Sequence, residues 1–198
     1  MLDVQTGGGE VVAGIPTAPP VLRATESWEP NLDLARERLM PLGGEVVHVD
    51  DEAPLPFDDA SFDLVVSRHP TVVLWQEIAR VLRPGGTYMS QRVGAGSVHE
   101  LSVAMLGDFE PSESRSAALA AANAEGAGLR VRDIETARLR MEFHDIGAVV
   151  HFLRKVIWIV PDFSVEAFIP QLRALDDRIE AEGPFVAHAT RFLIEADR

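Results

Sequence analysis

The sequence predicts an α/β protein built on a mostly parallel sheet. Short apolar runs alternate with segments of helical periodicity through residues 1–92, the pattern of repeated βαβ units. A glycine turn, Gly7-Gly8-Gly9, follows the first apolar run directly and opens a helix. Backbone N–H groups in such a turn approach a ligand closely, and the helix dipole favours negative charge there. Glu26 ends the second strand, and an acid roughly 20 positions past such a turn is placed to hold a pair of ribose hydroxyls. The sequence therefore points to a nucleoside-type cofactor at the carboxyl edge of the sheet.

Leu2 and Val4 make the first strand. Glu10 to Ile15 allows a short helix before Pro16, Pro19 and Pro20 break it. Val21 to Thr25 reads as the second strand. Pro30 suits the first turn of a helix with Leu32, Ala35 and Leu39 on one face. Glu45 to Val49 is the third strand, with Asp50-Asp51-Glu52 at its carboxyl end. Phe62 to Ser67 is a continuous apolar fourth strand, as expected of a sheet covered on both faces. Val72, Trp75, Ile78, Ala79 and Leu82 repeat at helical spacing, Arg83-Pro84-Gly85-Gly86 stops that helix, and Thr87 to Gln91 is the fifth strand. Beyond it, helices are expected over Ser97 to Leu106, Ser112 to Gly126, Ile146 to Val156, and from Ser164 to about Glu182. Thr136 to Phe143 alternates, with Ala137, Leu139, Met141 and Phe143 on one face, and Phe185 to Glu195 is the last of seven strands. No composition break marks a domain boundary. One domain is expected over 1–198, with 1–92 as the cofactor half and 93–198 as the substrate-side helices and last two strands.

Composition narrows the function. With 18 basic against 31 acidic residues the net charge is −13, which argues against a long nucleic-acid footprint. There is no cysteine, so disulfides, thiolate metal sites and cysteine nucleophiles are excluded, and a cytoplasmic location is expected. No signal peptide or membrane span is legible. His144, Asp145 and His151 lack metal-ligand spacing, so no metal is expected.

Four stretches, in order, resemble a class I S-adenosylmethionine-dependent methyltransferase of the small type 11 kind. They are Leu2-Asp3-Val4-Gln5-Thr6-Gly7-Gly8-Gly9, Glu26, Asp50-Asp51-Glu52 followed by Leu55-Pro56-Phe57-Asp58-Asp59-Ala60-Ser61-Phe62-Asp63, and Arg80-Val81-Leu82-Arg83-Pro84-Gly85-Gly86-Thr87. The resemblance implies a three-layer, Rossmann-like, seven-stranded sheet, mostly parallel with an antiparallel last strand. It implies S-adenosyl-L-methionine as cofactor. Asp3 would orient the turn near the cofactor's amino acid part, and Gln5, Thr6 and Gly7 would pass under its methionine and ribose. Glu26 would accept two ribose hydroxyls, with Ser27 and Trp28 beside it, Trp28 lying against adenine or ribose. Asp51 would accept the adenine amine, and Glu52 would offer a backbone N–H. Ser67, Arg68 and His69 would close the site at the end of the fourth strand. A nicotinamide dinucleotide is the competing cofactor, but its Gly-x-Gly-x-x-Gly fingerprint fails: starting at Gly7 the third position is Val12, and starting at Gly9 the second is Val11.

Methyl transfer from a sulfonium needs position and desolvation more than proton chemistry. His69 is the candidate general base by its location; packing in the loop is the alternative. The expected acceptor is a small molecule, with ribosomal RNA disfavoured by charge. Phe152, Trp158, Phe163 and Phe168 read as core or as the wall of an apolar acceptor pocket, and Arg130, Arg132, Arg138 and Arg140 as a solvated strand face or an anion site. The chain is expected to be a monomer or homodimer. Two departures stand out. Gln5 replaces the family's first glycine, and the family's front helices are absent or truncated. Both motivate an alternative, a methyltransferase-fold protein that binds a ligand or partner without catalysis.

Overall fold

The structure, a computed structural model, describes residues 1–198. Seven strands form one sheet in the order β3-β2-β1-β4-β5-β7-β6. They are β1 (Leu2–Val4), β2 (Leu22–Glu26), β3 (Gly44–His48), β4 (Phe62–Arg68), β5 (Leu82–Val93), β6 (Arg130–Phe143) and β7 (Phe185–Asp197). The helices are α1 (Glu10–Ala13), α2 (Glu29–Leu39), α3 (Trp75–Val81), α4 (His99–Leu106), α5 (Ala117–Gly126), α6 (Ile146–Lys155) and α7 (Ile169–Glu182). β1 to β5 pair in parallel. β7 runs against β5: Arg198 N–H donates to Gly86 O and Gly94 N–H to Thr190 O, so partner numbers fall as the other strand rises.

The chain divides into two compact units. The first comprises Met1–Arg92, Ala117–Glu135 and Phe192–Arg198. Its register puts Leu2, Val65 and Tyr88 on one face of the sheet and Asp3, Ala24, Val66 and Met89 on the other. The first face is packed by Trp75, Ile78 and Val81 of α3 and by Ala120 and Ala124 of α5. On the second face, Leu32, Ala35 and Leu39 of α2 and Val12 of α1 bury Leu22, Ala24 and Val46. The periodicity of residues 30–39 predicts this stripe, and all three α2 residues are buried. The rest of that face has no helix over it. Leu64, Val66, Met89 and Leu193 line an open groove of about 580 Å³ beside Met1, Val11 and Ile15.

Arg80 of α3 ties the turn after β3 to this unit. Its guanidinium donates to Leu55 O at 2.9 Å, Phe57 O at 2.8 Å, Asp59 at 2.8 Å and Glu77 at 2.8 Å, while Glu77 accepts from Leu55 N–H at 2.8 Å. One planar fork thus satisfies two loop carbonyls and two carboxylates. Arg80 and the Leu55–Asp59 run are two stretches that sequence alone presents as separate motifs.

The second unit comprises Val93–Ser116 and Thr136–Arg191. Its core joins Leu101 and Met105 of α4, Val149 and Leu153 of α6, Leu172, Leu175 and Ile179 of α7, and Phe185, Ala187 and Ala189 of β7. Asp145 caps α6 by accepting from Ala148 N–H at 2.7 Å.

Several expectations need correction. Ser164 does not open the last helix: it accepts from Ala167 N–H in a short turn, and α7 begins at Ile169, with Pro170 in its first turn. Ser112 to Gly126 is not one helix. A 3₁₀ turn at Glu113–Arg115, capped by Ser112, precedes α5. β6 begins at Arg130, six residues before the predicted Thr136. The apolar face predicted for it is only partly covered: Phe143 is buried, but Leu139 is 53% exposed. β6 is the edge strand, so its side chains are covered only where a core cluster reaches them, at Val131, Ile134, Met141 and Phe143.

Candidate functional site

The carboxyl ends of β1, β2 and β3 converge in the first unit, and every backbone turn there is set by a specific residue. Gly7 and Gly9 both have φ in the left-handed region, 64° and 79°, where a side chain is strained. Gly9 is doubly required: a Cβ there would sit 3.3 Å from the Cα of Ala35 and from Leu39 Cγ, against the α2 backbone. Gln5 has φ 59° and His69 φ 54° without being glycine. Strained backbone of this kind persists where surrounding contacts over-determine it, and it clusters at functional sites.

Glu26 is the centre of the arrangement. It is 5% exposed, yet both carboxylate oxygens are used. Oε2 accepts from Gly7 N–H at 2.7 Å and Oε1 from Trp28 N–H at 2.9 Å. The acid therefore locks the glycine turn to the end of β2 by charge-assisted bonds. Asp3, one strand over, is 5% exposed. Burial pushes its carboxyl up to about 6, helped by the nearby charge of Glu26 and opposed by the Thr6 hydroxyl.

That shift has a consequence for stability. A carboxyl whose folded value lies above its ordinary 3.8 stabilises the fold below that pH and loses the contribution as pH rises through about 6. Asp3→Asn is expected to stabilise the protein at pH 8 by about 2 kcal/mol, two pH units at about 1.4 kcal/mol each being the upper bound. The gain should vanish at pH 4, and urea unfolding at the two pH values measures it.

The remaining predicted residues lie around these two. Asp51 accepts from Thr71 Oγ1 at 2.6 Å. Glu52 is exposed. The carbonyl of Ser27 bonds His48 Nε2 at 2.9 Å. Trp28 is 60% exposed. The Ser67 hydroxyl is buried and bonded to Tyr88 at 2.8 Å and Ser90 at 2.9 Å. Arg68 reaches Gln91 at 3.1 Å and lines the open groove. His69 N–H donates to Gln91 O, holding the left-handed turn at the end of β4.

Sequence reasoning misses Thr71 and Val72, which close the site through Gln5. Gln5 Nε2 donates to Val72 O at 2.7 Å, Gln5 Oε1 accepts from Thr71 N–H at 2.7 Å, and the single proton of the Thr71 hydroxyl is shared between Asp51 and Gln5 Oε1, which lies 3.0 Å away. With the Thr71–Asp51 bond, this makes a bridge from the turn after β1 to the turns after β4 and β3. Beneath it, Val4, Thr25, Val49, Asp50 and Leu55 enclose only about 20 Å³, room for one water.

Strand order, parallel core and acids at the ends of β2 and β3 define the class I methyltransferase fold. The comparisons agree. A family model described as a methyltransferase domain matches residues 2–90. A protein from Bacillus halodurans C-125, named only provisionally as a methyltransferase, superposes with a TM-score of 0.66 at 20% identity, covering 99% of this chain and 90% of that one. Geranyl diphosphate C-methyltransferase from Streptomyces coelicolor A3(2), solved with Mg2+, geranyl diphosphate and S-adenosyl-L-homocysteine, gives 0.57 at 15% identity, covering 100% and 71%. The cyclase SpnF gives 0.56 at 18% identity, covering 100% and 74%. A search of curated proteins finds no match.

The family's cofactor is S-adenosyl-L-methionine. The polar set fits it: a buried acid at the end of β2, an acid at Asp51 and an open glycine turn at Gly7, where a Cβ would meet nothing within 4 Å. Gln5 is the one residue that does not, since its side chain spans the space between the turns.

Proposed function

We propose that this chain transfers a methyl group from S-adenosylmethionine to a small-molecule acceptor by in-line displacement. The observation that carries the reading is Glu26, a buried carboxylate fixed by two backbone donors at the end of β2. An acid with its orientation set in advance holds a ribose diol at little entropic cost. Bound, the cofactor supplies a methyl carbon already activated by its sulfonium. Glu26 holds the ribose, Asp51 takes the adenine amine, and the turn Gln5–Gly7 carries the amino acid end. Ser27, Trp28 and Glu52 flank the nucleoside; Asp3 keeps the turn in place, and Thr6, Ser67 and Arg68 lie at its edge. His69, held in a strained turn after β4, takes the acceptor proton where one must leave. Residues 1–92 serve the cofactor, and 93–198 the acceptor, within one catalytic domain. A net charge of −13 favours a small acceptor over nucleic acid. No helix is long and apolar enough to cross a membrane, and the cysteine-free composition suits a cytoplasmic monomer or homodimer.

The Gln5 bridge favours a second reading, a fold that binds a ligand or partner without catalysis. Label transfer separates the two. The chain is incubated with methyl-labelled S-adenosylmethionine and a panel of small acceptors. Label appearing in one of them supports the enzyme, and label in none, from a chain that binds the cofactor, supports the second reading.

A further inference from the structure

The second unit holds a cavity that the methyl-donor chemistry does not use. It measures about 380 Å³, within the range of small-ligand pockets. Its walls are the Val93–Ser97 segment that follows β5, the inner side of α4, the 3₁₀ turn Glu113–Arg115 and the Trp158–Pro161 segment.

The lining has two characters. Part of the lining is aromatic: the His99 and Phe109 rings meet edge to face with centroids 4.8 Å apart, and Trp158 belongs to the same lining. Large apolar side chains there are open to solvent, Leu106 at 47%, Phe109 at 45% and Trp158 at 53%. Water-exposed aromatic surface concentrated at one cavity mouth marks a binding site more than a core. Another part is cationic. The Arg115 guanidinium lies 5.7 Å from the Trp158 ring centroid and pairs with no carboxylate, whereas Arg130, Arg132, Arg138 and Arg140 all do. In a chain of net charge −13, an arginine kept clear of acids and braced by an aromatic ring is available to an outside anion.

We propose that this cavity binds an apolar, ring-bearing carboxylate, its carboxylate on Arg115 and its ring against Trp158 and Phe109. A single guanidinium matches a carboxylate in a two-point fork. The lining has no lysine and no second arginine, so a diphosphate would stay largely unneutralised. Binding of the carboxylate does not depend on the function proposed above.

The test is calorimetric titration with 2-naphthoate, and with the neutral 2-naphthamide, of the full chain and Arg115→Gln. Arg115 is exposed, so its variant is expected to fold as the parent does, which thermal unfolding checks. Submillimolar binding of naphthoate is expected, at least tenfold weaker in Arg115→Gln, with the naphthoate–naphthamide difference lost in that variant. Naphthoate binding equally to the parent and Arg115→Gln, or to neither, overturns the proposal. Naphthoate binding of the expected kind in a chain that takes up no S-adenosylhomocysteine upholds the cavity and overturns only the methyl-transfer reading.

Discussion

Glu26→Ala is expected to raise the Kd for S-adenosylhomocysteine at least a hundredfold. The substitution removes both the carboxylate that would hold the ribose and the two bonds that fix the glycine turn, from Gly7 N–H and Trp28 N–H. Charge-assisted hydrogen bonds contribute about 1.5–3 kcal/mol each, and two of them amount to a factor of a hundred or more in affinity. The fold should also suffer, by about 2–4 kcal/mol, because two buried or half-buried donors lose their acceptor. Glu26→Gln separates these effects. It keeps one acceptor oxygen of the same shape, so it should retain more of the stability while still losing most of the binding. Isothermal calorimetry gives the affinity, and urea unfolding the stability. Unchanged affinity in both variants would place the nucleoside elsewhere.

Gln5→Gly is expected to do the opposite and tighten cofactor binding at least tenfold. The Gln5 side chain makes three bonds across the space between the turns after β1 and β4, and any ligand lying there must first break them. Glycine also suits the φ of 59° that glutamine occupies there under strain. The stability change should be small, since strain relief of about 1 kcal/mol offsets bonds that are in part exposed to water. Thr71→Val, which deletes the hydroxyl that joins Gln5 to Asp51, should show a smaller gain in the same direction. An unchanged Kd in Gln5→Gly would mean that the glutamine swings aside at no cost.

Local features of the sequence carry the parallel half of the fold well. The 3.6-residue stripe of Leu32, Ala35 and Leu39 and the apolar run of β4 each have one compatible period, and each lies where it predicts. Glu26 is legible for a related reason: it sits a fixed distance past a glycine turn, and its two partners are within 19 residues. What the sequence hides is nonlocal. Gln5 meets Thr71 across 66 residues, and no spacing rule links them. The start of β6 is placed too late because the apolar alternation begins only near Ala137; Arg130 and Arg132, which read as a solvated strand face or an anion site, pair with Asp197 and Glu195 of β7. Arg115 disappears into an alanine-rich stretch that reads as one helix. Only the break after Ser116 turns it toward Trp158. The ring of Trp28 faces solvent, although its neighbour Glu26 invites a place for it against the nucleoside.

The central claim is that the ends of β1, β2 and β3 hold S-adenosylmethionine, and calorimetric titration of the unaltered chain with S-adenosylhomocysteine tests it most directly. One site per chain with micromolar Kd, lost in Glu26→Ala and tightened in Gln5→Gly, is the predicted result. A folded chain that takes up no nucleoside, and still takes none when Gln5 is glycine, would contradict it.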